Sequence, residues 1–214
     1  MPKDFDQVAQ QLASVAHKLY VRGWLLGTSG NLSAVIESEP LKLAITPSGA
    51  DKGELSAEQI LLIDEHAKRL SDHSAKPSDE SLLHVTVVQA RGAGAVIHTH
   101  SVWATILSDL YSHQAGVEIE GYEMLKGLHG VTTHLHSEWI PIVDNSQDMP
   151  ALAVTITEVL AKYPIAHAVL LRRHGLYTWG RDLSEAHRHA EILEFLLEAF
   201  GRTDEMRRAN VNNY

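Results

Sequence analysis

Two histidines one residue apart close an apolar run in Gly94-Ala95-Val96-Ile97-His98-Thr99-His100, and that pattern suits a metal ion. Side chains two apart on a strand share a face, so His98 and His100 point one way while Thr99 points back. The spacing alone says little in a chain with 14 histidines among 214 residues, and it occurs twice more. His134-Leu135-His136 falls in the polar stretch Thr132 to Glu138, which reads as a solvated loop. His187-Arg188-His189 falls in a helical stretch, where residues two apart diverge by about 200° and cannot chelate one ion. His98 and His100 therefore form the candidate metal pair; the competing reading is two satisfied core histidines.

A third ligand has to come from elsewhere. His174 follows another apolar run, Ala166 to Leu171, and Gly175 after it would let the backbone approach a ligand closely, although an ordinary strand-end histidine would look the same. The chain has no cysteine, so its donors are imidazole and carboxylate. Three histidines with one open position is the pattern of a catalytic zinc site rather than a closed structural one.

Two carboxylates could move a proton. Glu80 sits where a helix should begin, a position equally explained by favourable interaction with the helix dipole. Glu123 lies between apolar neighbours in Tyr122-Glu123-Met124-Leu125-Lys126-Gly127, with Lys126 three residues on as a surface alternative. Burial beside Met124 and Leu125 would raise its pKa and improve it as a base, while a nearby zinc would pull the pKa down again, and the sequence leaves that balance open. Three loops of small and hydroxyl residues could hold an anion through backbone N–H groups: Gly27-Thr28-Ser29-Gly30-Asn31-Leu32-Ser33, Thr46-Pro47-Ser48-Gly49, and the segment holding Ser78. Each would also serve as a plain turn or cap. Arg172 and Arg173 could meet a phosphorylated small molecule.

The elements that must carry these groups can be read in order. An amphipathic helix spans Phe5 to Arg22, with Val8, Leu12, Val15 and Leu19 on one stripe and Gly23 closing it. Strand-like runs follow at Leu32 to Ile36, Leu41 to Thr46 and Ile60 to Asp64. Pro77-Ser78-Asp79-Glu80 opens a helix to about Arg91. Then come a strand over Ala95 to His100, a helix to Leu110, strand-like runs near Val117 to Glu120 and Ile140 to Val143, and a helix over Met149 to Lys162. Ala166 to Trp179 reads as two strands around Gly175, and Leu183 to Arg202 as a long final helix. Without a strict βαβ rhythm, the expectation is α/β, a mixed sheet between helix layers. No linker or repeat divides residues 1–214, so one domain is expected. The balance of 18 basic and 27 acidic residues, a net −9, argues against nucleic acid as partner. A polar N-terminus, no long apolar run and no cysteine predict a soluble cytoplasmic protein without a membrane partner.

Taken together, the first two of those loops, Lys76-Pro77-Ser78-Asp79-Glu80, His98-Thr99-His100 and Arg173-His174-Gly175 resemble, in order, the class II aldolase/adducin family over about residues 5 to 200. The resemblance implies a single-domain α/β/α sandwich around a mainly antiparallel sheet and one Zn2+ per subunit on His98, His100 and His174. It also implies phosphate contacts at Asn31, Ser48, Gly49 and Ser78, a phosphorylated ketose substrate and a homotetramer with sites near subunit interfaces. Asp79 stands where the family's aldolases usually carry a second serine. The block around Glu123 and the run Val169 to Gly180 resemble members that remove water rather than cleave a carbon–carbon bond, although Tyr122 replaces an expected glutamine. By that resemblance Glu123 is the acid/base, and Glu80, at the aldolase acid/base position, is the second candidate or an assistant. Two alternatives stay open: an aldolase or epimerase acting on fuculose or ribulose phosphates, and a non-catalytic interaction module like the adducin head.

Overall fold

The computed structural model describes residues 3–70 and 75–211. Asp4 opens the first helix, α1 (Phe5–Val21), by accepting the Asp6 and Gln7 N–H groups at 3.0 and 3.4 Å. The predicted stripe of Val8, Leu12, Val15 and Leu19 is buried along it, and Gly23 at φ +80° ends the turn that follows. Strands β1 (Asn31–Ser38), β2 (Leu41–Ile45) and β3 (Leu61–Asp64) come next. After them stand α2 (Ser81–Arg91), β4 (Ala95–Thr99), α3 (Val102–Leu110), β5 (Gly116–Glu120) and β6 (Ser137–Val143). The chain closes with α4 (Met149–Lys162), β7 (Ala168–Leu171), β8 (Gly175–Gly180) and α5 (Leu183–Val211). Every strand and helix read from the sequence is present, with α5 running beyond the expected end at Arg202.

The eight strands form one sheet in the order β3-β2-β1-β4-β8-β7-β6-β5, antiparallel except where β6 pairs with β7. Period-two alternation sorts β4 between two cores. Val96 packs on one face with Leu83 and Val87 of α2 and Ile156 of α4. Ala95 and Ile97 pack on the other with α1 and the start of α5. Leu193 and Leu197 of α5 extend that second face over β5 to β8, together with Ala104 and Leu107 of α3. The result is the expected α/β/α sandwich. Each buried Leu or Ile side chain on these faces contributes about 1.5 to 3 kcal/mol. No helix among the described residues is long and apolar enough to cross a membrane.

Sheet register prepares the site. Asn31 of β1 and Tyr177 of β8 both pair with His98 of β4, so these three side chains stand in a row on the α2 face.

Candidate metal centre

At the end of β4 the fold gathers His98, His100, His174 and Glu80, with one donor atom from each lying within 4.8 Å of the others. His98 is fully buried, and its ring stacks on Tyr177 with centroids 4.0 Å apart. Its Nδ1–H donates to the Leu176 carbonyl at 3.0 Å, which leaves the Nε2 lone pair facing the cluster. His174 is oriented the same way by Asn145 Oδ1, 3.3 Å from its Nδ1. The turn that carries His174 is braced on α3. Arg173, at φ +55°, donates its backbone N–H to Ser108, while Asp109 takes the side chains of Arg172 and Arg173 at 3.0 and 2.9 Å. The two arginines that could have met a phosphate therefore hold this turn.

The three imidazoles turn Nε2 atoms toward one another, with His98 to His100 at 2.8 Å and His100 to His174 at 3.1 Å. Burial pushes His98 well below the usual histidine range and His100 down to about 4. Neutral imidazoles facing lone pair to lone pair, with a carboxylate beside them, form a donor set that a divalent cation completes. The residues present thus fit a metal.

Glu80 ends up at the centre of this arrangement. It caps α2 without a side-chain hydrogen bond to the helix, so the dipole reading does not account for its side chain. Its Oε1 lies 3.2 Å from His174 Nε2 and 3.6 Å from His98 Nε2, while Oε2 accepts from Asn31 Nδ2 at 2.8 Å. Burial alone would raise this carboxyl, but His174, His98 and Asn31 outweigh it and hold it well below the ordinary range. Behind Asn31 lies His84, a fully buried residue of α2 that desolvation pushes down to about 4. A neutral His84 donates Nε2–H to Asn31 Oδ1 and accepts the Ser33 hydroxyl on Nδ1 at 2.8 Å. A polarised chain, Ser33 to His84 to Asn31, so ends on the Glu80 carboxylate. Because the Asn31 amide is engaged by Glu80 and His84, it is a support for the carboxylate first, whatever else it touches.

The three small-residue loops converge. Ser29 and Asn31, Ser48 and Gly49, and Ser78 line one cavity of about 100 Å3. Glu80 and His100 form its inner wall, and Lys52 completes it. Gly30 must be glycine here, since φ is +67° and an added Cβ would run into Leu25 and the His98 carbonyl. Gly175 also owes its identity to a close approach, but to the Thr99 carbonyl of β4 rather than to a ligand.

Glu123 is not brought to this cluster in the single chain. It sits on a 3-10 turn, Glu123–Gly127, whose Leu125 packs with α5 on the opposite face of the sheet from Glu80. Its side chain is 70% exposed and ion-paired with Lys126, which lowers its pKa. The apolar setting expected from Met124 and Leu125 is absent, because Leu125 turns inward and carries the burial alone, and Lys126 decides the direction of the pKa shift.

Four contributors were missed by sequence reasoning. Tyr177 and His84 became visible only through register and helix packing. Glu194 of α5 accepts from the Thr99 hydroxyl behind β4, and burial pushes its carboxyl up to about 7. Lys52 is buried, and desolvation pulls its ammonium down to about 8. Its sequence setting, Asp51-Lys52-Gly53, looks like any surface turn.

Residues 10–200 match the family described as class II aldolase and adducin N-terminal domain. A methylthioribulose-1-phosphate dehydratase from Marinobacter nauticus is 42% identical over 205 residues, 95% of this chain and 97% of that protein. One of the same name from Methylococcus capsulatus is 40% identical, covering 91% and 93%. Among solved structures, an L-fuculose 1-phosphate aldolase superposes with a TM-score of 0.77 at 25% identity, over 94% of this chain and 87% of that one. A putative aldolase/epimerase/decarboxylase from Klebsiella pneumoniae superposes at 0.77 and 26%, over 92% and 89%.

Proposed function

The chain belongs to the class II aldolase and adducin family, and from that membership we propose that it removes water from 5-methylthioribulose 1-phosphate. The product is 2,3-diketo-5-methylthiopentyl 1-phosphate, and the step belongs to methionine salvage in the cytoplasm. Near-full-length identity of about 40% to dehydratases of that substrate carries the reading. The His and Glu cluster beside a cavity lined by small polar loops supports it. The whole chain is read as one domain.

Zinc, one per subunit, suits the all-imidazole and carboxylate donors of His98, His100, His174 and Glu80. When bound it supplies Lewis-acid polarisation of the substrate ketone, which acidifies the neighbouring C–H. The protein's own groups do the rest. Leu176 and Asn145 fix the two imidazole orientations, and Asn31 holds Glu80 Oε2 so that Oε1 stays beside the donors. A carboxylate takes the proton from the carbon next to the ketone, the next hydroxyl leaves as water after protonation, and the resulting enol becomes the diketone. Ser48, Gly49 and Ser78 are read as phosphate contacts, with Asn31 at the boundary between phosphate and Glu80.

Glu123 remains the proposed acid/base, acting from a second copy in a homotetramer. Its exposure leaves it available, and the outer face of α3 directly after His100 exposes Val102, Ile106 and Leu110 at one-turn spacing for a neighbour to cover. Mixed oligomers test this. Glu123→Gln subunits combined with His98→Ala, His100→Ala subunits should regain activity that neither variant has alone. Absence of recovery would return the proton transfer to Glu80.

The activity itself is tested by offering the purified protein methylthioribulose 1-phosphate, fuculose 1-phosphate and ribulose phosphate side by side and identifying products by NMR. Diketone from the first alone is expected. Carbon–carbon cleavage or epimerisation of the others would make the chain an aldolase or epimerase. Inertness toward all three in a protein that takes up no zinc when zinc is supplied would favour the adducin-like interaction module.

A further inference from the structure

The cavity beside the cluster holds a buried cation that the metal chemistry does not use. Lys52 is 1% exposed, and its Nζ donates to the carbonyl oxygens of Thr28 at 3.1 Å and Ala50 at 2.9 Å. An ammonium carries three N–H donors, and among the described residues no protein acceptor takes the third. Nor does any carboxylate of the described residues lie within ion-pair distance of Nζ, although a buried charge ordinarily pairs or neutralises.

The other cavity walls sharpen the question. Ser48, Gly49 and Ser78 supply neutral donors, both donors of Ser29 are spent on the Leu26 carbonyl, and Glu80 supplies a negative charge that repels an anion. Asp79, next to Ser78, is a further acidic side chain and does not line the cavity. A phosphate dianion entering between these loops needs a fixed positive charge, and Lys52 is the one Lys or Arg among the lining residues.

We propose that Lys52 is a substrate-binding residue whose ammonium receives the phosphate of the ketose, and that its two carbonyl contacts serve to aim it between the first two loops. The assignment rests on the reading that this cavity takes a phosphorylated ketose. It adds a charged anchor to the neutral serine and glycine positions.

Inorganic phosphate is the probe, measured as a competitive inhibitor of turnover and by direct titration of the zinc-loaded protein. Lys52→Met should weaken phosphate binding and raise KM for the ketose phosphate by about 10- to 150-fold, the span of a lost charged hydrogen bond. Zinc content should stay at one per chain and kcat should fall far less than KM rises. Were Lys52 only a staple between loops, melting temperature and kcat would drop while phosphate affinity held, and that result overturns the proposal. If Lys52→Met does not fold, acetylation of the wild-type protein decides the matter. Lys52 should be protected by phosphate at saturation, whereas equal labelling with and without phosphate rejects the assignment. Phosphate binding that depends on Lys52 in a protein that makes no diketone would sink the dehydratase reading and leave this one standing. Diketone formation with unchanged KM in Lys52→Met would do the reverse.

Discussion

The two ends of the β7–β8 hairpin both collect histidine and glutamate, yet only one end gathers the donor set of a candidate metal centre. At the His174 end the three Nε2 atoms face one another at 2.8 and 3.1 Å. At the other end His136 Nε2 and His167 Nδ1 each meet the buried Glu138 carboxylate, at 2.9 and 3.0 Å. The second nitrogen of His167 meets the His129 carbonyl, and His189 accepts the His129 N–H while its Nδ1–H donates to the Trp179 carbonyl. Every imidazole there has protein partners, so no set of converging lone pairs remains. The same residue types therefore become a ligand set or a structural network according to what their nitrogens face.

The largest effect expected from this contrast is on metal and turnover. His98→Ala with His100→Ala should abolish bound zinc and activity while leaving circular dichroism intact. His136→Ala with His167→Ala should keep one zinc per chain. Full zinc in the first variant, or its loss in the second, would invert the assignment of the two ends.

Equivalent carboxylate substitutions separate chemistry from stability. Glu80→Gln should lower dehydration by about 10²- to 10⁴-fold if Glu80 moves the proton and by less if it assists Glu123, with modest change in melting temperature. Glu138→Gln leaves part-buried His167 without its counter-charge and should cost about 3 kcal/mol in urea unfolding, with turnover of the folded fraction near normal. A stable Glu138→Gln protein would mean that the second network is not structural.

The smallest effect is a difference in sign with pH, read on chelator-treated protein. Burial depresses His98 and His100, so the unfolded chain takes up their protons first on acidification. Their contribution is full above pH 6.5 and is lost as pH falls, toward about 4 for His100, whose share is about 3 kcal/mol. His167 behaves oppositely. Burial opposes its charge, but Glu138 prevails and raises it, so its contribution is full below pH 6.5 and fades as pH rises through the raised value. Glu138, lowered by His167 against burial, holds its contribution above about pH 4.5 and loses it below. Urea midpoints between pH 8 and 5 should therefore decline less steeply for His98→Ala, His100→Ala than for wild type, and more steeply for Glu138→Gln. Parallel curves for all three proteins would remove the linkage argument.

Most of the fold was legible in the chain. Period-two and helical patterns placed α1, β4, α4 and the β7–β8 pair within a few residues, because each element must bury one face and its apolar spacing records which. Much of the centre was legible for the same reason: a strand end ties His98 to His100 at a spacing only local geometry controls, and His187 to His189 could be dismissed on helical geometry alone. The roles of Glu80 and Glu123 were not. Both read as acidic residues with a bland surface alternative. Only the packing of α2 against β1 and β4 put Glu80 among the imidazoles, and only the turn over α5 put Glu123 on the opposite face of the sheet from them.

What the sequence determined by itself was the class of fold, the candidate metal pair at the end of β4 and three candidate anion loops, since each depends on residue type and short-range spacing. The tertiary structure alone decided that Asn31 and Tyr177 flank His98, that His84 polarises Asn31, and that Lys52 is buried at the cavity. Those facts depend on strand register and on contacts between residues far apart in the chain, such as His98 with Tyr177, 79 positions away, which no local pattern encodes.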